Sequence, residues 1–226
     1  MVVLKPSLIS RIKGGFPANG TYKKTIIEFS KHHDLVYFSS VSSSQDTTPT
    51  IQGSTASIDQ KDNHYLIGTH ANYDMVVVDR TSIIGYEGYK SVAHRWYVIQ
   101  IDLRTAKDLP YIFIGTRQQT KAYYARLLSV HRELRYLSLG SDTKRINVFQ
   151  SHYAIMSSPA HMQILHGLFT DENIDTIATH HYPFAIEIGG ENLSVITDAT
   201  KPSQQLLDKL LHYGLWLAKE IDQKLA

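Results

Sequence analysis

The chain has no cysteine. That one absence removes disulfides, thiolate metal sites and cysteine nucleophiles together, and it fits a reducing compartment. Long apolar runs are missing too: none approaches the roughly 20 residues that a membrane-spanning helix needs. Met1-Val2-Val3-Leu4 is cut short by Lys5-Pro6, so no signal peptide is visible. Nor is there an excess of one charge. Lys and Arg total 23 against 21 Asp and Glu, a net charge of +2, too balanced to argue for nucleic acid without clustering on one face. The expectation is a cytoplasmic chain with no integral membrane segment of its own, any membrane association running through a partner.

Chemical motifs are equally sparse. The glycines at 14, 15 and 20, at 85 and 88, and at 189 and 190 do not follow phosphate-cradling patterns. No two histidines flank a glutamate as in zincins, and no Gly-x-Ser-x-Gly nucleophile elbow occurs. No cofactor and no metal is expected on these grounds.

What is present is an ordinary globular composition, 42% hydrophobic and 19% charged, enriched in His (12) and Tyr (14). A chain of 226 residues can bury about 70% or more of the surface its unfolded form exposes, so it needs no staples. Residues 1–20 are poorly specified. From there to 226 the chain reads as a single α+β domain, largely antiparallel, with an N-terminal helix, a middle basic amphipathic helix and a C-terminal hairpin followed by a long helix. Thr21 is the expected N-cap of the first helix, which runs to about His33 before a strand at Leu35 to Phe38. Ser39 to Pro49 reads as a loop. Strands are expected at Ile51 to Ile58, His64 to Thr69, Tyr73 to Arg80, His94 to Leu103 and Tyr111 to Gly115, with Gly85 to Lys90 a connection. The run Asp74 to Asp79 suggests a central strand buried on both faces. Val148 to Ile155 reads as another strand. Ser158-Pro159 and Thr170 open two short helices.

The clearest signal is C-terminal. Phe184 to Ile188 and Leu193 to Thr197 alternate about a Gly189-Gly190-Glu191-Asn192 turn, where glycine supplies positive φ. Pro202 then opens a helix whose Leu207, Leu210, Leu211, Gly214, Leu217, Ala218, Ile221 and Leu225 form one stripe.

The helix-to-aromatic-strand passage Ile26 to Phe38, the β region after Gln52-Gly53, the strand pair ending at Leu109-Pro110, the strand with helical turns from Tyr153 to Ile177, and the hairpin Ile186 to Val195 with its terminal helix follow one another in a familiar order. That order resembles a loose group of uncharacterised bacterial proteins, a domain of unknown function often found behind N-terminal membrane segments. The resemblance covers most of the chain and implies a compact α+β domain; it implies no activity. This chain departs from it in lacking the membrane segments and in its long basic helix.

The histidines do not converge. His180 and His181 are adjacent, His161 and His166 are five apart, and His64 and His70 would lie roughly 20 Å apart along a strand. Asp74 and Asp79 would face opposite sides of a strand. The one asymmetry is the basic helix. From Gln118 to Leu137 the period is helical, with Tyr123, Leu127, Val130, Leu134 and Leu137 on one stripe. Around it Arg117, Lys121, Arg126, Arg132, Arg135, Lys144 and Arg145 meet only Glu133 and Asp142 as acids, with Tyr123 and Tyr124 among them. Basic plus aromatic is what a nucleic-acid or anionic-lipid surface uses; a solvated helix face is the plainer account. Arg117, Lys121, Arg126, Arg132 and Arg135 are therefore the candidate ligand-binding residues, toward an anionic partner.

The reading is a soluble binding or interaction domain rather than an enzyme, its partner a protein or an anionic surface. Two alternatives stand beside it: an enzyme whose site is assembled from distant His and acidic residues, and a peripheral binder of nucleic acid or anionic membrane through the basic helix 117–145.

Overall fold

The computed structural model describes residues 20–39, 59–84, 91–119, 121–140, 144–199 and 201–226. The expected loop after Ser39, the strand Ile51 to Ile58 and the Gly85 to Lys90 connection lie outside the described residues, as does nearly all of the 1–20 segment.

Helix α1 (Gly20–His32) leads into β1 (Val36–Phe38). Four long strands follow: β2 (Asp59–His70), β3 (Tyr73–Ile84), β4 (Val92–Asp102) and β5 (Leu109–Thr116). Helix α2 (Lys121–Val130), β6 (Arg135–Leu137), α3 (Lys144–His152) and β7 (Tyr153–Ser157) come next. A 3₁₀ turn (Pro159–His161), α4 (Met162–Leu168) and α5 (Asp171–His180) lead to the hairpin β8 (Ala185–Gly190) and β9 (Asn192–Asp198) and the closing helix α6 (Gln204–Leu225). The nine strands form one sheet in the order β1-β2-β3-β4-β9-β8-β5-β7-β6, every neighbouring pair antiparallel. The fold is α+β. No described helix is long and apolar enough to cross a membrane.

The sheet has two cores. On one face, apolar side chains of α1, α3, α4, α5 and α6 pack over Met75, Val77, Ile99, Ile101, Ile112, Ile114, Ile186, Ile188, Leu193 and Val195. On the other, α2 is the one described helix that packs over Val78, Trp96, Val98, Phe113, Met156 and Ile196. Alternation along the strands sorts residues between the two. β3 and β4 are buried along most of their length, as the apolar run from Met75 to Val78 leads one to expect of inner strands.

The C-terminal unit follows from its own residues. Gly190 holds φ +61 in the hairpin loop, where the mirror-image turn asks for glycine; Gly189 is not in the left-handed region. Ser203, just after Pro202, caps α6 by accepting from the Leu206 N–H at 3.1 Å. Leu207, Leu210, Leu211, Leu217 and Ile221 are buried along one stripe, each contributing about 1.5–3 kcal/mol by leaving water. Gly214 lets the helix lie close on β4 and β9: a Cβ there would stand 2.8 Å from Ile101 Cδ1 and 3.0 Å from Val195 Cγ2.

Three expectations are corrected. The helical period from Gln118 to Leu137 spans a helix and a strand: α2 stops at Val130, and Arg135–Leu137 pairs with Ser157, Met156 and Ile155. Leu134 keeps its place in the core because the turn, held by the Leu134 N–H to the His131 carbonyl, carries it there; Val130 is 43% exposed. Sheet-edge pairing has overridden a helical pattern. Conversely, Val148-Phe149 lies in α3, where Ile146 and Phe149 three residues apart are buried together; the strand begins only at Tyr153. Thr21 is inside α1, which starts at Gly20.

Candidate ligand-binding site

The site is built around the turn between β5 and α2. Its backbone is tied down by the Arg117 N–H to the His152 carbonyl (2.8 Å) and the Gln119 N–H to the Thr116 carbonyl (3.1 Å). Gly115 is there for space: a Cβ would meet Phe113 Cε1 at 2.5 Å and Tyr124 Oη at 2.7 Å. With that room the Tyr124 phenol reaches back and donates to the Thr116 carbonyl. Burial raises the Tyr124 pKa, so the group stays a neutral donor.

Between α2 and the sheet edge at β6 and β7 runs a groove of about 660 Å³, within the range of small-molecule sites. Tyr124, Ala125 and Leu128 of α2 form one wall, Tyr136, Leu137 and Ser138 the other, and the Tyr153–Ile155 segment of β7 the floor. Tyr136 is 57% exposed and stands edge-on to Tyr124, ring centroids 6.2 Å apart. Arg117 and Lys121 stand at one end, with Gln119 and Gln150. Among the described residues no Asp or Glu lines the groove. Arg117 is steadied by its Nε donating to the Gln150 carbonyl, and Gln150 Nε2 donates to Ser138 Oγ at 2.9 Å. The first turn of α2 holds no acid, so Lys121 and Arg117 add to the positive end of the helix dipole instead of neutralising it. The groove is apolar along its length and cationic at one end.

The other three candidates go elsewhere. Arg126 is half-buried on α2, its Nε without a hydrogen-bond partner among the described residues. Arg132 is exposed in the turn before β6. Arg135 is on β6, folded back so that its Nη1 donates to the carbonyls of Arg132 and Leu134, both at 2.6 Å. None of the three lines the groove. Lys144 and Arg145 are exposed on the first turn of α3.

The histidines are largely absorbed by local partners. His33 Nε2 bonds Asp208 at 2.8 Å, His64 Nδ1 bonds Tyr37 at 2.8 Å, and His181 stacks on Tyr213 at 4.2 Å. Among the described residues no three His, Asp or Glu side chains gather to hold a metal ion. The two most buried ion pairs are also structural. Arg95 with Asp79 lies beneath α1, its guanidinium 4.5 Å from the Tyr22 ring centre, and Arg80 grips Asp62 with two bonds of 2.6 and 2.7 Å. Buried charges of this kind need such pairing to be tolerated.

No family model matches the chain, and no curated protein matches it. Among solved structures it is similar to the crystal structure of the mycobacterial trehalose monomycolate transport factor A, TtfA, with a TM-score of 0.56 and 9% identity over 92% of this chain and 96% of that one. At that identity the likeness is one of fold.

Proposed function

We propose that this protein is a non-catalytic binding domain that holds an anionic amphiphile, its apolar chain along the groove under α2 and its anionic group on Arg117 and Lys121. The observation that carries this reading is the lining of the groove by the described residues: apolar and aromatic walls, with the two cations Arg117 and Lys121 at one end. A charge-assisted contact from each cation supplies orientation, and burial of the chain supplies affinity. The like-folded neighbour is a trehalose monomycolate transport factor, which supports holding and handing on a cargo rather than turning it over. The chain itself is read as cytoplasmic, meeting membranes through its ligand or a partner.

The test is isothermal titration with monomeric lysophosphatidic acid. Wild type is expected to bind, and Arg117→Glu with Lys121→Glu to weaken binding at least about tenfold, the worth of one charge-assisted hydrogen bond. No binding by wild type would overturn the reading. Retention on heparin at low salt, abolished by Arg132→Glu with Arg135→Glu, would instead favour a nucleic-acid surface spread over residues 117–145.

A further inference from the structure

A second cavity lies on the other side of the same turn. It measures about 200 Å³ and is lined by His94, Trp96, Gln118, Gln119, Thr197 and Asp198, with Thr116, Pro183, Ala185 and Ile196 completing it. Gln119 lines both this cleft and the groove; Gln118 lines the cleft alone. The β5–α2 turn is therefore the wall between an apolar groove with a cationic end and a small polar cleft.

The polar groups of the cleft are arranged in advance. His94 is 8% exposed. Its Nδ1 edge is held by Asp198 at 2.6 Å, and its ring lies stacked on Trp96, centroids 5.1 Å apart and 17° from parallel. Trp96 is fixed in turn by its Nε1 donating to Ser82 at 2.6 Å. His94 Nε2 is left buried, with no hydrogen-bond partner among the described residues. A buried polar atom of this kind calls for a partner. With Nδ1 donating to the carboxylate, Nε2 accepts from a hydroxyl when the ring is neutral and donates to one when the ring is protonated. Asp198, still 34% exposed, accepts as well, and the amides of Gln118 and Gln119 both donate and accept. Among the described residues no cation lines this cleft. Vicinal hydroxyls, which donate and accept in close pairs, match that set; a phosphate, which only accepts, does not.

We propose that this cleft is the head-group subsite for a polyol, so that the bound molecule is a phospholipid with a hydroxyl-rich head: acyl chain in the groove, phosphate on Arg117 and Lys121, and head-group hydroxyls on His94 Nε2 and Asp198. The order of chemistry along the surface, apolar then cationic then polar, is the order of those parts in such a lipid. The inference rests on the amphiphile reading and goes beyond it in naming the head group.

The experiment compares lysophosphatidylinositol with lysophosphatidic acid of the same acyl length, titrated as monomers into the full chain. Wild type is expected to bind the inositol lipid about tenfold more tightly, equivalent to about 1.4 kcal/mol, and His94→Phe and Asp198→Asn are expected to bring the two affinities together. Gln118→Leu, at an exposed turn position, is expected to narrow the ratio two- to threefold and guards against misfolding of the buried variants. Equal affinities in wild type would overturn the head-group site and leave the amphiphile reading standing. Failure of both lipids would overturn that reading itself. Glycerophosphoinositol, the deacylated head, is expected to bind at least a hundredfold more weakly than the lipid; equal binding would make the ligand a soluble inositol phosphate and overturn the lipid assignment.

Discussion

The two faces of this sheet are finished in different ways. On one, five helices bring apolar stripes down onto rows of Ile, Leu, Val and Met, and the buried charged pair Asp79–Arg95 sits beneath α1. On the other, one described helix, ten residues long, covers the centre. The sheet there satisfies polar side chains by pairing them within itself: Arg80 with Asp62, Trp96 with Ser82, His94 with Asp198, Gln100 with Asn192 at 2.7 Å. Where helices are plentiful, burial is mostly apolar and the centre of the sheet is sealed, a cavity of about 550 Å³ remaining at the end of α6 between Arg104 and Lys219. Where one described helix packs, the spaces at its flanks form a groove and a cleft. The first face builds the fold, and the second leaves room for chemistry.

The sharpest way to break this contrast is a charge on the sealed face. Leu211 is 1% exposed, and Leu211→Asp buries an unpaired carboxylate, a cost of several kcal/mol against a total stability of about 5–15. No cooperative urea transition is expected at 25 °C; a wild-type melt would show that α6 does not anchor the fold. Next come the two tight glycines, one per face. Gly115→Ala must push aside the Phe113 ring and the Tyr124 phenol, costing about 2 kcal/mol by overpacking and weakening lysophosphatidic acid binding because Tyr124 is a groove wall. Gly214→Ala meets Ile101 and Val195, but gains about 1 kcal/mol of helix propensity. Its net loss should be nearer 1 kcal/mol, with binding untouched. Urea midpoints and titrations on both variants separate a packing defect from a site defect.

The sealed face is also the face that could be read in the sequence. Leu207 to Ile221 repeat at helical spacing, Gly189-Gly190 marks the hairpin, and Pro202 marks the helix start to within two residues of Gln204, so local chemistry and tertiary role agree. The α2 face was legible only in part. Arg117 and Lys121 stand out as cations near tyrosines, but Arg126, Arg132 and Arg135 carried the same signal and are turned elsewhere. The difference lies in where α2 ends, and that is decided by the pairing of Arg135–Leu137 with β7, a contact no local pattern announces. His94 and Asp198 are 104 residues apart and meet because β4 pairs with β9, with Trp96 opposite Asp198. Register between distant strands is set by the whole sheet, which is why the cleft has no sequence signature.

A smaller effect probes the sealed face by pH. His181 lies flat against Tyr213 and Trp216, centroids 4.2 and 5.2 Å away. Burial, with the neighbouring His180 charge, lowers its pKa from 6.5 to about 4. The unfolded chain takes up this proton near pH 6.5 and the folded one only near pH 4. Between those values the unfolded state binds more protons, so stability falls as pH drops through that window and is flat with respect to this group above it. His181→Phe keeps the stacking and loses the proton. Its melting temperature is expected to fall less than wild type between pH 6.5 and 4, by a few degrees, equivalent to about 1 kcal/mol once screening of the partly exposed ring is allowed for. Equal losses would mean the ring is not held neutral by the fold.

The smallest expected effect separates the faces most cleanly. Lys121 is exposed in the first turn of α2, where the helix dipole disfavours a cation and favours an acid. Lys121→Glu should therefore leave the fold as stable as wild type or raise stability by about 0.3–1 kcal/mol, while it weakens lysophosphatidic acid binding. A residue kept for stability would behave the other way round. Denaturant melts and titrations on this one variant read both quantities. Stability rising as binding falls is what a site built at the fold's expense predicts; a loss of both would assign Lys121 to the architecture and return the groove to being a gap beside a helix.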